Sequence, residues 1–192
     1  MEQEMANQRR SKREFPWTTE IGGEQFTLRL MSEADRAAML DFARALPEDD
    51  LLFLAIDITK EPAVDDWIRR LKGDNLRTIL VERNGKLVGH GSLLHEEQVW
   101  TRHLGGIILL LAPEVRGKGL GHVLAGELFR YAEELGLLKV VARMAAGQKG
   151  AIQVFEKMGF KMEALLADCV IDREDRTHDL IIMSYDVTGH SV

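Results

Sequence analysis

Thirteen residues decide the fold of this chain: the run LLLAPEVRGKGLG at positions 109–121. An apolar, strand-like run from Leu109 to Leu111 leads into a basic turn that contains Gly117, Gly119 and Gly121. Glycine lets the backbone adopt positive φ, and its missing Cβ leaves nearby amide groups accessible to an anion. The run therefore predicts a strand, a glycine-rich turn and a helix, in that order.

The turn has the composition of a diphosphate cradle. Its N–H groups can converge on one anion, and the following helix adds unpaired N–H groups and partial positive charge at its N-terminus. Arg116 and Lys118 are expected to supply mobile cations. A Walker A loop needs Ser or Thr after its lysine, where Gly119 stands, and a dinucleotide fingerprint needs a third glycine, where His122 or Leu124 stands. For an isolated glycine cluster, an ordinary turn without a ligand is the alternative.

Length and composition indicate one domain. The chain has 192 residues, and we expect a mobile tail at 1–23, a single domain at 24–187 and a short tail at 188–192. The net charge of −6 disfavours a nucleic-acid binder, which needs a basic face. Cys169 is the single cysteine, so an intrachain disulfide is excluded. No signal peptide or apolar span of about twenty residues is evident, and we expect a cytoplasmic protein without membrane contact.

The first half of the domain shows alternating and helical patterns. Phe26, Leu28 and Leu30 alternate as in a half-buried strand, and Ser32 is a candidate N-cap for a helix over 33–46. A helical region over 51–71 is interrupted by Pro62. The strongest hairpin signal is Asn84-Gly85 between the strands 78–81 and 87–89, because both residues suit the positive φ of a type I′ turn.

The second half predicts a strand-helix-strand crossover. A strand over 99–111 ends in an apolar run that suggests cover on both faces, and the helix after the cradle ends at Gly136. The strand at 139–142 is expected to lie parallel to the strand before the cradle. Strands at 161–172 and 177–187 complete a mixed α/β fold with a mostly antiparallel sheet of six to seven strands and helices on both faces.

Two blocks of the sequence resemble the Gcn5-related N-acetyltransferase (GNAT) superfamily. Arg116, Gly119 and Gly121 match its Arg/Gln-x-x-Gly-x-Gly/Ala signature, and the segment 151–160, AIQVFEKMGF, resembles its closing helix and Gly-Phe strand entry. The resemblance spans residues 24–187. It implies that pantetheine pairs with the backbone of the strand before the cradle and that an N–H there meets the thioester oxygen.

The resemblance implies a coenzyme site formed by Leu109, Leu110, Leu111, Val115, Arg116, Gly117, Lys118, Gly119, Leu120, Gly121, Gln148 and Phe155. Two of these positions depart from the pattern of the family. Gln148 stands where an Asn is frequent, and it can still form hydrogen bonds. Phe155 stands where many members carry a tyrosine that protonates the thiolate, and a phenyl ring has no proton to give. The thiolate would then leave unprotonated, or water or another hydroxyl would serve.

The general base is not evident, because Gly105-Gly106 replaces the carboxylate that many relatives carry. We take His103 as the candidate base, since its intrinsic pKa suits proton transfer near neutral pH. The alternatives are a water relay or one of the side chains of His95, Glu96, Glu97 and Asp168. His178-Asp179 is interpreted as structural, because adjacent strand residues point to opposite faces. The histidines lack ligand spacing, so no metal is expected.

The sequence therefore predicts an acetyl-CoA-dependent N-acetyltransferase that acts on a primary amine of a small molecule or a protein, by direct attack in a ternary complex. The alternative is a non-catalytic acyl-CoA sensor on the same fold, and a third reading is a scaffold that binds no CoA. Acetyl-CoA and an amine are the expected partners. A homodimer through a sheet edge or the last two strands is left open.

Overall fold

A computed structural model describes residues 13–51, 54, 56–95 and 98–188 of the chain. It contains eight strands: β1 (Trp17–Ile21), β2 (Glu24–Leu30), β3 (Leu76–Arg83), β4 (Lys86–His95), β5 (Leu104–Leu111), β6 (Lys139–Ala145), β7 (Lys161–Ile171) and β8 (Thr177–Asp186). The helices are α1 (Arg36–Ala45), α2 (Glu48–Leu51), α3 (Glu61–Arg70), α4 (Leu120–Glu134) and α5 (Lys149–Lys157). Short 3₁₀ turns lie at Glu33–Asp35 and Pro113–Val115.

All eight strands form one sheet in the order β1-β2-β3-β4-β5-β6-β8-β7. Neighbouring strands are antiparallel except β5 and β6, which are parallel as the crossover predicts. The mixed α/β class with a mostly antiparallel sheet is thus confirmed, and the sheet has one strand more than the six to seven expected. The additional strand is β1, which pairs with β2 through a turn at Gly22 and Gly23, both with positive φ. The alternating pattern of β1 covers only five residues, which is too short to predict a strand from the sequence.

A strand is present earlier in the chain than the sequence suggests. Strand β1 lies inside the segment 1–23 that was expected to be a tail. Arg13 lies over the ring of Trp17 at 4.0 Å and donates to Glu127 on α4 at 3.2 Å, so this segment also packs across the sheet. Residues 1–12 of the predicted N-terminal tail and 189–192 of the predicted C-terminal tail lie outside the described residues.

Two helix boundaries differ from the sequence prediction. The capping residue Ser32 is correct, but its helix starts with a 3₁₀ turn in which Asp35 accepts from the Ser32 N–H at 2.7 Å. Pro62 does not interrupt a helix: it lies in the first turn of α3, where its missing N–H costs no hydrogen bond. The hairpin at Asn84 and Gly85 is confirmed, with φ of +52° and +73°.

The helices lie on both faces of the sheet, as predicted. We call the face that carries α1 and α3 face A: there Phe42 and Trp67 contact the His90 ring on β4. We call the opposite face B: there a Cβ built on Gly91 of β4 would touch Leu124 and Leu128 of α4 at 2.9 Å. No helix of the described segments is long and apolar enough to cross a membrane.

Candidate coenzyme and acceptor site

The sheet opens into a V between β5 and β6. Their parallel ladder joins only Leu104–Gly106 to the segment 139–141, and no further pair follows up to Leu111. Strand β6 instead stays paired with β8 as far as Ala145. The open part of the V therefore begins after Gly106 and widens towards the glycine-rich turn. The strand itself starts at Leu104 rather than 99, because residues 99–103 form the turn after β4.

The opening changes the burial expected for β5. The sequence predicted that 107–111 would be covered on both faces, and this is wrong. Ile108 is 43% exposed, and the three leucines after it are only half-buried. The physical reason is the divergence of β6, which leaves these residues without a neighbouring strand on one side.

Hydrogen-bond alternation decides which backbone groups of β5 face the V. The Ala112 N–H donates to the Val88 carbonyl of β4 at 2.8 Å, so even-numbered residues of β5 exchange hydrogen bonds with β4. Odd-numbered residues then direct their N–H and C=O groups towards the V. The backbone groups of Leu109 and Leu111 are consequently oriented towards a ligand in the V, whereas those of Leu110 are used by His90.

The glycine turn at the wide end of the V has the geometry of an anion cradle. Gly117 and Gly119 have φ of +73° and +94°, and a Cβ built on either would meet no heavy atom within 4 Å. Gly119 is the N-cap of α4, so the first N–H groups of that helix point to the same space. A Cβ on Gly121 would lie 3.5 Å from the Met158 side chain, an ordinary contact, which explains why an alanine fits this motif position.

Arg116 and Lys118 are not mobile cations in the structure. The Arg116 guanidinium donates to the Leu111 carbonyl at 2.7 and 2.9 Å and to the Asp50 carboxylate at 2.5 Å. The Lys118 ammonium donates to Glu24 at 2.5 Å, and this ammonium is the main cause that lowers the pKa of the Glu24 carboxyl. An anion in the cradle would have to compete with both carboxylates.

Two residues of the proposed site contribute their backbone only. The side chains of Val115 and Leu120 are buried in the core, at 0% and 1% exposure. They fix the turn against the sheet and leave the amide groups between them at the surface. This arrangement is what a site made of backbone groups requires, because the ligand then needs no particular side chain at these positions.

The closing helix α5 lies on face B. Gln148 precedes its first turn, and its side-chain oxygen accepts from the Ala145 N–H at 3.1 Å, which closes the end of β6. Phe155 is 8% exposed and packs edge-to-face on Phe160 at 4.9 Å. Phe160 in turn contacts Tyr185 at 5.6 Å, so Phe155 belongs to an aromatic cluster under the V.

His103 lies at the closed end of the V. Its carbonyl accepts from the Leu138 and Lys139 N–H groups at 2.9 and 3.2 Å, where β5 and β6 are still joined. Leu109 is six residues further, roughly 20 Å along the strand at about 3.3 Å per residue. The structure does not bring His103 to the Leu109 and Leu111 backbone groups.

The alternative bases are also scattered. His95 lies near the same end as His103 and contacts the Asp74 carbonyl at 3.0 Å. Asp168 lies on β7 and accepts from the Thr177 hydroxyl at 2.7 Å. Glu96 and Glu97 lie outside the described residues. Among the described residues, no group of three or more His, Cys, Asp and Glu side chains could hold a metal ion.

Sequence reasoning missed one histidine pair. His178 pairs with Asp172 across the β7–β8 turn at 2.8 Å. Asp172 also accepts from the Glu174 and Arg176 N–H groups at 2.9 Å. The hydrogen bond from His178 is the main cause that holds the pKa of the Asp172 carboxyl well below its usual range. Only the hairpin register, which sequence does not give, brings the two together.

The described residues fit a phosphate-bearing ligand with an amide-containing arm. The cradle offers amide groups and empty space at Gly117 and Gly119, and the adjoining V offers the strand backbone at Leu109 and Leu111, of which the Leu111 carbonyl is held by Arg116. A phosphate suits the first and an extended amide chain suits the second. The two subsites are continuous because the turn follows β5 directly.

Comparison with known proteins agrees with this geometry. The model of the Acetyltransferase (GNAT) family matches residues 40–160, well over half of the chain. A mycothiol acetyltransferase from Streptomyces coelicolor is 35% identical over 83 residues, which are 42% of this chain and 26% of that protein. The chain thus matches about a quarter of the length of this relative.

Solved structures share the fold. A ribosomal-protein-alanine N-acetyltransferase from Brucella melitensis superposes with a TM-score of 0.71 at 24% identity, covering 83% of this chain and 98% of that one. A spermidine N-acetyltransferase from Vibrio cholerae, in complex with CoA and spermine, gives 0.70 at 20% identity, covering 85% and 96%. The family match and the shared fold lead to one conclusion: this chain belongs to the acetyltransferase (GNAT) family.

Proposed function

We propose that this protein is an acetyl-CoA-dependent N-acetyltransferase that acetylates a primary amine. The observation that carries the proposal is the continuity of the Gly117–Gly121 cradle with the unpaired backbone of β5. The family assignment supports the same activity. The diphosphate would lie on the cradle and the pantetheine along Leu109 and Leu111, with the thioester inside the V.

The reaction is a direct acyl transfer. Acetyl-CoA supplies an activated acyl group as a thioester. The amine nitrogen forms a bond to the carbonyl carbon, the C–S bond breaks, the thiolate leaves with its electron pair, and the nitrogen loses a proton. The Leu109 N–H, which faces the V, is suited to stabilise the developing negative charge on the carbonyl oxygen.

The first experiment is calorimetric titration of the purified protein with acetyl-CoA. We expect micromolar binding that is lost in Gly119→Asp, because the new carboxylate occupies and repels the phosphate position. A parent protein that binds no acetyl-CoA would contradict both the enzyme and the sensor reading. Binding would justify a screen of amines for release of free CoA.

A non-catalytic acyl-CoA sensor remains the second candidate. Phe155 offers no proton to the thiolate, and its ring is buried against Phe160. Gly105 and Gly106 offer no carboxylate. Tight acetyl-CoA binding without CoA release over a broad amine panel would favour the sensor, and turnover with any amine would favour the enzyme.

The assignment of His103 as general base stays a prediction. If His103 takes the proton, His103→Ala lowers kcat and removes the acidic inflection from the pH profile. Unchanged turnover and an unchanged profile would eliminate His103 and leave the proton to water. His103 lies at the closed end of the V, roughly 20 Å along the strand from Leu109, and this separation argues against a direct role.

The proposal also includes a cytoplasmic location and partners limited to acetyl-CoA and the amine, without nucleic acid or membrane. The acidic net charge of −6 supports the exclusion of nucleic acid.

A homodimer through β7 is supported by the exposed side chains of this edge strand, Met162, Leu165 and Ile171. Light scattering at two protein concentrations tests this assembly, and a monomer at both would refute it.

A further inference from the structure

The acceptor amine must reach the V from face A. On face B the V is covered by α4 and α5 together with the aromatic cluster around Phe155 and Phe160. On face A, α1 and α3 cover the sheet up to β4, where Phe42 and Trp67 contact His90. The short helix α2 reaches further, to the wide end of the V, because Asp50 pairs with Arg116 after β5 and Glu48 pairs with Arg173 of the β7–β8 turn. A second substrate would therefore approach a thioester between β5 and β6 on face A, on the side of α2 that leads to the closed end of the V.

Arg143 stands on this open face. Its neighbours Ala142 and Met144 are buried towards face B, at 1% and 5% exposure, so alternation along β6 directs Arg143 to face A, where it is exposed. It lies two residues beyond Val141, the last residue of β6 that pairs with β5. Arg143 thus flanks the beginning of the open part of the V.

The surroundings of Arg143 are apolar. Its partner on β8 is Ile182, which is half-buried, and across the V on the same face stands Ile108, which is 43% exposed. Within the described residues, no carboxylate forms an ion pair or a hydrogen bond with the Arg143 guanidinium. The Glu163 carboxylate of β7 accepts hydrogen bonds from Lys139 and Ser184 at 3.0 and 2.5 Å.

A guanidinium on an apolar surface beside a reaction site is suited to bind a planar anion with two oxygens. We propose that Arg143 binds the carboxylate of the acceptor, and that the acceptor is a small amine of the amino-acid type with an apolar side chain. Ile108 and Ile182 would contact that side chain, and the amine would point into the V. This inference rests on the proposed acetyltransferase function.

The test compares two acceptors that differ in one group, L-leucine and L-leucinamide, in the parent and in Arg143→Ala. We expect the ratio of kcat/KM for leucine over leucinamide to fall by roughly 10- to 100-fold in the variant, the range for a lost charge-assisted hydrogen bond. The loss should appear in KM, since Arg143 is not expected to act on the reacting atoms. Arg143→Lys should restore part of the ratio.

Arg69→Ala is the matched control, because Arg69 is an exposed arginine of α3 whose ion pair with Asp66 lies away from the V. It should leave the ratio unchanged. An unchanged ratio in Arg143→Ala, or acetylation of leucinamide and spermidine but not leucine by the parent, would overturn the inference and leave the acetyltransferase function intact. Acetyl-CoA binding without acetylation of any of the three amines would also overturn the inference, whereas the acetyltransferase function is refuted only when the broad amine panel releases no CoA.

Discussion

Gly119 and Gly136 provide a matched pair of substitutions at the two ends of α4. Both have positive φ, +94° and +69°, and a Cβ built on either meets no heavy atom within 4 Å. Replacing either glycine by alanine forces an L-residue into a left-handed conformation, at about 1–2 kcal/mol. For a domain of this size we expect each variant to melt about 2–8 °C lower.

The two variants should differ in coenzyme binding. The methyl group of Gly119→Ala enters the space proposed for a phosphate, whereas that of Gly136→Ala lies at the opposite end of the helix. Loss of one charge-assisted hydrogen bond is worth about 1.5–3 kcal/mol, or about a 10- to 100-fold rise in Kd. We expect this rise for Gly119→Ala alone, with both variants showing similar losses of stability.

Calorimetric titration with acetyl-CoA and thermal melts on the same samples measure both quantities. If Gly119→Ala binds acetyl-CoA with the same Kd as the parent, the assignment of the cradle as the phosphate site is refuted. An equal rise in Kd for Gly136→Ala would show that the loss follows from helix destabilisation and not from the ligand position.

Three further outcomes are expected. Asp50→Asn frees Arg116 from its 2.5 Å ion pair and should tighten acetyl-CoA binding by up to about fivefold, the limit for an exposed ion pair. The control Asp49→Asn should leave binding unchanged. Weaker binding in Asp50→Asn would contradict the competition of Asp50 with the coenzyme for Arg116. His90 is fully buried with no partner for either ring nitrogen among the described residues, and burial lowers its pKa to about 3. Between about pH 6.5 and pH 3, the unfolded state binds this proton and the folded state does not. The free energy of unfolding therefore falls as the pH drops through this range, and at pH 4.5 it is about 3 kcal/mol lower than at neutral pH. Urea unfolding at pH 7 and at pH 4.5 measures this loss. The free energy of unfolding should fall less between the two pH values in His90→Leu than in the parent, and an equal fall would exclude His90 as the cause. Gly91→Ala places a Cβ 2.9 Å from Leu109, Leu124 and Leu128 and should lower stability by about 1–3 kcal/mol in urea unfolding; a neutral effect would mean that these leucines rearrange freely.

Local patterns were sufficient for the elements that carry their own signals. The hairpin at Asn84-Gly85 was correct because positive φ at two successive positions depends on residue type alone. The parallel pair β5 and β6 was correct because a crossover of this length and handedness has one common solution. Strand β1 was missed because five alternating residues acquire stability only from pairing with β2.

The family resemblance, the order of the main elements from β2 onwards and the cradle glycines follow from the sequence alone, because these depend on residue identity and on spacing along the chain. Tertiary structure decided the rest. The Arg116–Asp50 and His178–Asp172 pairs form only when the fold brings separate elements together. The width of the V and the exposure of Arg143 depend on which elements lie beside and over the strands. Strand register and the divergence of β6 from β5 are collective results of packing, and local sequence does not specify them.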